Sequence, residues 1–371
     1  MGIKLFNWVP MRSAYTHEEH SYKILQYGRR NSYPQEALYA LNRSGTASSC
    51  VKALTAFTKG NGFANKAYGR AIINPEGDSI NELLGKVSKD YSVFEGFAIH
   101  FNVNMLGEYV NATWLPFWRV RWGMPNENGK IDHVRVWDNW ANESTRFNAN
   151  PAEIQSIKLF NPNPDVIIQE IEECGGIQNY NGQVLYYTGD AEIYPSVSFD
   201  AVFDQVLTNG LQAEFDKNFI QNRYSSSTVF VNENVSDDDE QFKRNKEEVA
   251  KLGGVQNAGS VSYMEGKIST LGTVMPEFDK QHKVVKDSVK DDIIENYNVP
   301  PVLVSRTRQG GFPNQDEIIN SFDYYNGMTQ ERRDLLSKMF FLFSSNWHFY
   351  LNSTTNYDII PKQFGNGATS N

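Results

Sequence analysis

Two adjacent prolines set the first limit on this fold. Residues 296–322 read NYNVPPVLVSRTRQGGFPNQDEIINSF and separate two long helical patterns. Pro301 brings no N–H donor to a helix, and each proline disfavours helical geometry in the residue before it, so the helix running up to Tyr297 stops there. Gly310 and Gly311 then give the connecting backbone a freedom that residues with a Cβ lack. Arg306 and Arg308, with Gln309 beside the glycines, make the connection basic. The next helical pattern begins at Asn314.

The helix upstream of the break, EFDKQHKVVKDSVKDDIIENY, would be about 30 Å long at ~1.5 Å per residue. Val285, Val289, Ile293 and Tyr297 share one face at i, i+4 spacing. Lys283, Lys286 and Lys290 lie beside it, and Asp287, Asp291 and Glu295 form an acidic stripe beyond. Like charges four apart repel within a helix by a few tenths of a kcal/mol (roughly 0.2–0.5). The stripes are therefore either a solvated charged face or surfaces that meet opposite charge on a neighbouring subunit. An earlier segment, SFDAVFDQVLTNGLQAEFDKNFIQN, predicts a helix of about 37 Å. Phe203, Leu207, Leu211, Phe215 and Phe219 recur every four residues, and Val202, Val206 and Ile220 widen the apolar surface. Such a helix needs cover on several sides. Between the two helices the sequence predicts a strand in STVFVN and a helix in SDDDEQFKRNKEEVAKL, capped by Ser236. A hairpin in SVSYMEGKISTLGTV, turning at Glu265-Gly266, follows.

The first 195 residues read as a mixed α/β region. Pro34 to Thr58 reads as helical, ended by Lys59-Gly60-Asn61-Gly62. SINELLGKVSKDYSVF predicts another helix, with Ser79 and Glu82 forming a capping box. FAIHFNVN, TWLPFWRVRW, DHVRVWDNW and QVLYYTG predict strands, and Asn128-Gly129 marks a hairpin turn between the second and third. The tryptophans of this region, Trp114, Trp118, Trp122, Trp137 and Trp140, read as cross-strand core packing rather than an aromatic cage. From Asn314 to about residue 352 the pattern is mostly helical, and PKQFGNGATSN reads as disordered. There is no internal repeat.

Composition excludes several functions. The chain has 371 residues, 40% of them hydrophobic, a formal charge of −9 and two cysteines, Cys50 and Cys174. A negative balance argues against general attraction to nucleic acid or anionic membrane. Two unrelated cysteines make neither a disulfide framework nor a zinc site. No segment is apolar for long enough to span a bilayer, the first twelve residues are too polar for a signal peptide, and Phe6 breaks the myristoylation pattern. His17-Glu18-Glu19-His20 spaces its histidines wrongly for a zinc helix. Gly85-Lys86 lacks the rest of a phosphate loop, and Asp237 to Glu240 lacks the glycine and closing glutamate of a calcium loop. No carboxylate pair stands out for acid–base chemistry. The expectation is no metal, no cofactor and no enzymatic activity.

The order of elements is more informative. EFDKNFIQNRYSSSTVFV is followed by GGVQNAGSVSYMEG, with Asn257-Ala258-Gly259, and then by MPEFDKQHKVVKDSVKDDIIENYNVPPVLV, with Val299-Pro300-Pro301. In that order the sequence resembles the portal proteins of tailed bacteriophages. Upstream, YPQEALYALNRSGTASSCVKALTAFTKGNGF, which leads into Gly-x-Gly-Phe, looks like that family's N-terminal helix pair. The resemblance implies an α+β fold with a mixed α/β wing, a two-helix stem and a small α/β clip, assembled as a dodecameric ring around a central channel. Residues 1–195 would be the first part of the wing, 196–222 a stem helix, 223–276 the clip and 277–301 the second stem helix. Residues 302–314 would be the tunnel loop, and 315–371 a wing helix with a short or absent crown. Asn298 departs from the family, which often has glycine there.

The resemblance also implies a role and partners. The ring would sit at one capsid vertex of a virion assembled in the host cytoplasm, passing double-stranded DNA without regard to sequence. It would dock the terminase large subunit and later the head–tail adaptor, and be set in the major capsid protein. Arg306 and Arg308 would form a basic collar, and Lys283, Lys286 and Lys290 would face the channel or pair with the next subunit's Asp287, Asp291 and Glu295. Twelve copies at −9 each give a formal charge on the order of −100, a lining from which phosphate slides. Another connector ring protein of a virion, or an enzyme with an unrecognised site, remain the alternatives.

Overall fold

A computed structural model of the chain describes residues 18–19, 22–28, 30–140, 153–191, 193–221, 228–232, 240, 244, 261–265, 278–304, 314–348 and 356–364. The chain divides into two units. The first comprises Met1–Leu38, Ser49–Ala201 and Tyr297–Asn371, and the second Tyr39–Ser48 and Val202–Asn296.

The elements up to Ala201 are β1 (Glu18–Glu19), β2 (Ile24–Leu25), α1 (Tyr33–Arg43), α2 (Gly45–Lys59), α3 (Lys66–Arg70) and α4 (Ile80–Phe94). They continue with β3 (Phe97–Val103), β4 (Tyr109–Leu115), β5 (Val120–Trp122), β6 (His133–Val136), β7 (Gln155–Leu159), α5 (Pro164–Glu173) and β8 (Gln183–Tyr187). Then come α6 (Phe203–Gln221), β9 (Thr228–Asn232), β10 (Val261–Glu265), α7 (Phe278–Asn296), α8 (Gln315–Met328) and α9 (Gln330–Ser344). The fold is α+β, as the sequence led us to expect.

In the first unit a six-stranded sheet runs in the order β4-β3-β8-β7-β6-β5. Its neighbours are antiparallel except β7 and β8. Strand β3 lies inside the sheet and buries Phe97, Ile99 and Phe101 in one core with Ile80, Leu83, Leu84 and Val87 of α4. That i, i+3, i+4, i+7 spacing is what turns one stripe of α4 to the sheet. Ile167 of α5 and Leu336, Phe340 and Phe343 of α9 complete the core. Helix α4 starts on the capping box read from sequence: Ser79 Oγ accepts the Glu82 N–H, and Glu82 accepts the Ser79 N–H. It ends at Glu95, whose φ of +54° stops the helix. The β5–β6 hairpin also forms as expected, with Gly129 at φ +74°.

Three expectations need correction. TWLPFWRVRW is two strands, not one. Pro116 has no N–H for the ladder, so β4 ends at Leu115 and a 3₁₀ turn over Phe117–Arg119 leads into β5. The corner is fixed by the buried Asp90, whose carboxylate accepts the Trp114 indole N–H at 2.8 Å and the Phe117 N–H at 3.0 Å. The helix expected over 198–222 is shorter, running Phe203–Gln221 after a 3₁₀ turn over Asp200–Val202. The segment from Pro34 to Thr58 forms the expected helix pair, because Ser44 breaks the run and its Oγ caps α2 through the Ala47 N–H at 3.2 Å. The expected disorder of PKQFGNGATSN fails for its first four residues, since Lys362 hydrogen-bonds Asn326 through its backbone. Residues 365–371 lie outside the described residues.

The two largest fully buried side chains are arginines, Arg121 and Arg333. Arg121 donates to the Asn31, Trp118 and Val120 carbonyls and to the side chains of Asn31 and Gln35. Arg333 donates to the carbonyls of Phe57 and Asn326 and to the side chains of Thr329 and Gln330. Each guanidinium thus satisfies carbonyls that loops and helix ends leave over. The tryptophans pack as aromatic contacts rather than as the expected cross-strand pairs: Trp137 and Trp140, buried beyond the end of β6, meet edge to face at 5.3 Å, and Trp122 meets Tyr186 at 4.8 Å.

In the second unit β9 and β10 pair in parallel, Thr228 opposite Val261. The second strand of the hairpin expected at Glu265-Gly266 lies outside the described residues. So does the helix expected from Ser236, apart from Glu240 and Arg244, which are helical.

Candidate functional site

The two long helices bracketing the β9–β10 segment are the features the sequence singles out. Helices α6 and α7 have 19 residues each, about 28 Å at ~1.5 Å per residue. They pack side by side, with the C-terminal part of α6 against the N-terminal part of α7. There Asp216 of α6 accepts a hydrogen bond from Lys286 Nζ, and His282 Nε2 lies 3.7 Å from the same carboxylate. The His282 ring also rests on Phe215 at 5.3 Å between centroids.

The α1–α2 corner is fastened to α6 within the same unit. Asn209 Oδ1 accepts Ser44 Oγ–H at 2.8 Å, and Arg43 forms an ion pair with Glu214. The crossing is close enough that a Cβ on Gly210 would come within 2.9 Å of the Arg43 Cβ.

Cover is uneven along both helices. Phe203 and Val206 of α6 are buried, as are Val289, Ile293 and Ile294 of α7. Toward the β9–β10 end, Leu211 is 45% exposed, Ile220 56%, Val284 68% and Val285 51%. The apolar face expected at Val285, Val289, Ile293 and Tyr297 is therefore buried only from Val289 onward. These four aliphatic side chains of α6 and α7 stand in solvent, as Ile72 and Leu106 of the first unit also do.

The charged stripes fall as follows. Lys283, Asp291 and Glu295 are exposed, and Lys286, Asp287 and Lys290 are half-buried. Lys286 pairs with Asp216 of its own chain, a partner the sequence reading did not nominate. Asp216 sits near the end of α6 and His282 near the start of α7. An antiparallel pairing of the two helices about the intervening segment would have brought them to mind.

At the proline break α7 ends on Asn296, and Asn298 takes a left-handed φ of +48°. Asparagine tolerates that conformation better than most other residues with a Cβ, which gives a physical reason for Asn at this position. A 3₁₀ turn over Pro301–Val304 follows, and Pro300 is the residue before it. In the first unit Tyr297 is buried, with its hydroxyl 3.0 Å from Ser198 Oγ and its carbonyl accepting Tyr325 O–H at 3.4 Å. Burial raises the Tyr297 phenol well above its ordinary range, against the opposing hydrogen bond from Ser198. The loop residues Arg306, Arg308, Gln309, Gly310 and Gly311 lie outside the described residues. Among the described residues no group of histidines, cysteines and carboxylates could hold a metal. None of the described helices is long and apolar enough to cross a membrane.

Along the chain, a mixed helix-and-sheet unit is interrupted by a helix–strand–strand–helix segment. Among solved structures the chain is similar to one in the virion of a native gene transfer agent particle. The TM-score is 0.50 at 12% identity, covering 90% of this chain and 84% of that one. It is also similar to a chain of the neck of the native particle, with a TM-score of 0.48, 13% identity and coverage of 85% and 82%. A third similar structure is an HK97 family phage portal protein from Corynebacterium diphtheriae, with a TM-score of 0.42, 12% identity and coverage of 84% and 90%. The likeness to the gene transfer agent virion shows a shared fold across most of both chains. No family model and no curated protein sequence matches the chain.

Proposed function

We propose that this chain is a bacteriophage portal protein, a structural and non-enzymatic component of a virion that acts as a ring of identical copies. In this reading twelve copies stand at one capsid vertex and enclose the channel through which double-stranded DNA is packaged, retained and ejected. Residues 1–195 and those after 314 are the wing, 196–222 and 277–301 the stem helices, and 223–276 the clip. The partners are the terminase large subunit, the head–tail adaptor and the major capsid protein. Arg306 and Arg308 of the 302–314 loop form a basic collar whose phosphate contacts ignore sequence and weaken with salt.

One observation carries the reading. Helices α6 and α7 leave Leu211, Ile220, Val284 and Val285 in water although the chain has a core elsewhere in which to bury aliphatic side chains. Burying such a side chain is worth about 1.5–3 kcal/mol, so a stable chain that forgoes this has another surface to supply the cover. Ring closure supplies it, because a heterologous interface places a different face of the next copy against each exposed one.

Sedimentation velocity and negative-stain images of the purified chain test the proposal. Closed rings with a central hole are expected. A species that stays at the 42.3 kDa of one chain across micromolar concentrations would sink it. Reversing Lys283, Lys286 and Lys290 to glutamate separates the two roles open to that stripe. Loss of rings assigns it to the subunit interface, and intact rings with altered packaging assign it to the channel.

A further inference from the structure

We infer that residues 356–364 form a releasable clamp on α8, fixed at one end in the core and detachable at the other. The fixed end is Asp358–Ile360. Ala64 N–H donates to the Asp358 carbonyl at 2.8 Å, Asn61 N–H to Ile360 O at 2.8 Å, and Ile360 N–H to Gly62 O at 2.9 Å. These bonds add an antiparallel bridge between Phe63 and Ile359. Tyr357 and Ile359 are buried, and the Tyr357 ring meets Tyr68 edge to face at 5.0 Å. Gly60 is what allows the approach: at φ +58° a Cβ there would come within 2.1 Å of the Ile360 carbonyl oxygen.

The other end reaches α8. The Asn326 side chain imitates a strand partner, accepting Lys362 N–H at 3.2 Å and donating its own amide N–H to the Lys362 carbonyl at 2.8 Å. Phe364 then lies on Phe322 at 5.3 Å, and Phe322 lies on Phe57 of α2 at 5.1 Å. Phe322 is thus held between α2 and the clamp. These grips are few, and although Lys362 is half-buried, Pro361, Gln363 and Phe364 around it are exposed.

Among the described residues α8 is otherwise held on its inner face, where Tyr325 is buried, packs on Phe57 and donates to the Tyr297 carbonyl, and the Asn326 carbonyl accepts from Arg333; Ile319, Tyr324 and Met328 are exposed. An element covered on one face, with a two-bond, one-ring tie on the other, opens locally at far lower cost than the core beneath it. Release of Lys362 and Phe364 therefore frees α8 without unfolding the sheet. The inference concerns α8 itself and stands whether or not the chain forms a ring.

Hydrogen exchange of the full chain tests this, comparing wild type with Asn326→Ala and, separately, Phe364→Ala. Phe364 is at the surface, so its variant folds even if the Asn326 variant does not. Amides of α8 are expected to exchange at least about tenfold faster in each, while α4 and α9 keep their protection. Lys362→Ala keeps the backbone bonds and is expected to leave α8 unchanged. Unaltered α8 exchange in Phe364→Ala overturns the clamp. So does acceleration shared by α4 and α9, which would make residues 356–364 an inseparable part of the core.

Discussion

Asp90 offers the sharpest test of how the first unit is held together. Burial pushes its carboxyl up from the ordinary 3.8 to about 7, against the opposing pull of the Phe117 N–H and the Trp114 indole N–H. In the unfolded chain the group ionises near pH 4, so between those two values the unfolded state has lost a proton that the folded state keeps. Stability from this group is therefore greatest at or below pH 3.8, falls as pH rises through the window, and is flat again above about 7. A separation of about three pH units corresponds to roughly 4 kcal/mol, at about 1.36 kcal/mol for each. Asp90→Asn removes the ionisation and keeps a carbonyl oxygen for both donors, which converge on one oxygen of the native carboxylate. The variant is expected to be the more stable form at pH 8, and its advantage should shrink by roughly 2–3 kcal/mol at pH 5. Urea unfolding followed by tryptophan emission measures this directly, since Trp114 is one of the two donors. A difference between the proteins that does not change from pH 5 to pH 8, or that grows on acidification, would refute the reasoning.

Three further outcomes are expected. Asn298→Val should cost about 1–2 kcal/mol, because a β-branched residue is poorly tolerated at φ +48°, whereas Asn298→Gly should stay within about 0.5 kcal/mol of wild type; denaturant midpoints distinguish them. Arg333→Met should destabilise the first unit by about 3 kcal/mol or more, since the Phe57 and Asn326 carbonyls lose a charged donor, and equal midpoints would contradict that. Val284→Asp combined with Val285→Asp should leave the circular dichroism of the chain unchanged, because both side chains are exposed. It should abolish higher assembly by sedimentation, and rings that form as before would remove the support those residues give to the proposed function.

The parts of this structure legible in the sequence are those decided within a few residues. Ser79 and Glu82 fix the start of α4, and Asn128-Gly129 turns the chain between β5 and β6, because each signal acts on backbone next to it. The length of α7 was legible for the same reason, its spacing running continuously up to the proline break, whereas α6 starts at Phe203, with a 3₁₀ turn over Asp200–Val202 in place of the first turn expected. What escaped depends on distant partners or on a local signal outweighed by a longer pattern. Pro116 lies inside a run of strand-forming residues, and the run hid the corner. Helix α5 has Asn163 as its cap and Pro164 in its first turn, yet its apolar stripe is short, and only the sheet it covers makes it stable. The docking of Lys362 requires Asn326 to act as a strand edge, a role no pattern in either segment announces.

Periodicity shows which residues can share a face, but not where along that face cover ends. Val285, Val289 and Ile293 are equivalent by spacing, yet the first is exposed and the other two are buried. The difference arises from what lies opposite each turn of α7. Toward the β9–β10 end the facing surface of α6 supplies Phe215 and Asp216, which engage His282 and Lys286, and Val284 and Val285 on the neighbouring turns are left over. A pair of helices has two faces to cover for every one it can cover by itself, so two rods alone cannot bury aliphatic residues all around. In a ring each pair gains a neighbour on both sides, and the charged stripes of α7 lie beside the apolar residues that need them. An interface assembled from both would be apolar where the side chains must leave water and charged where copies must choose their orientation, the division by which heterologous contacts set register as well as affinity.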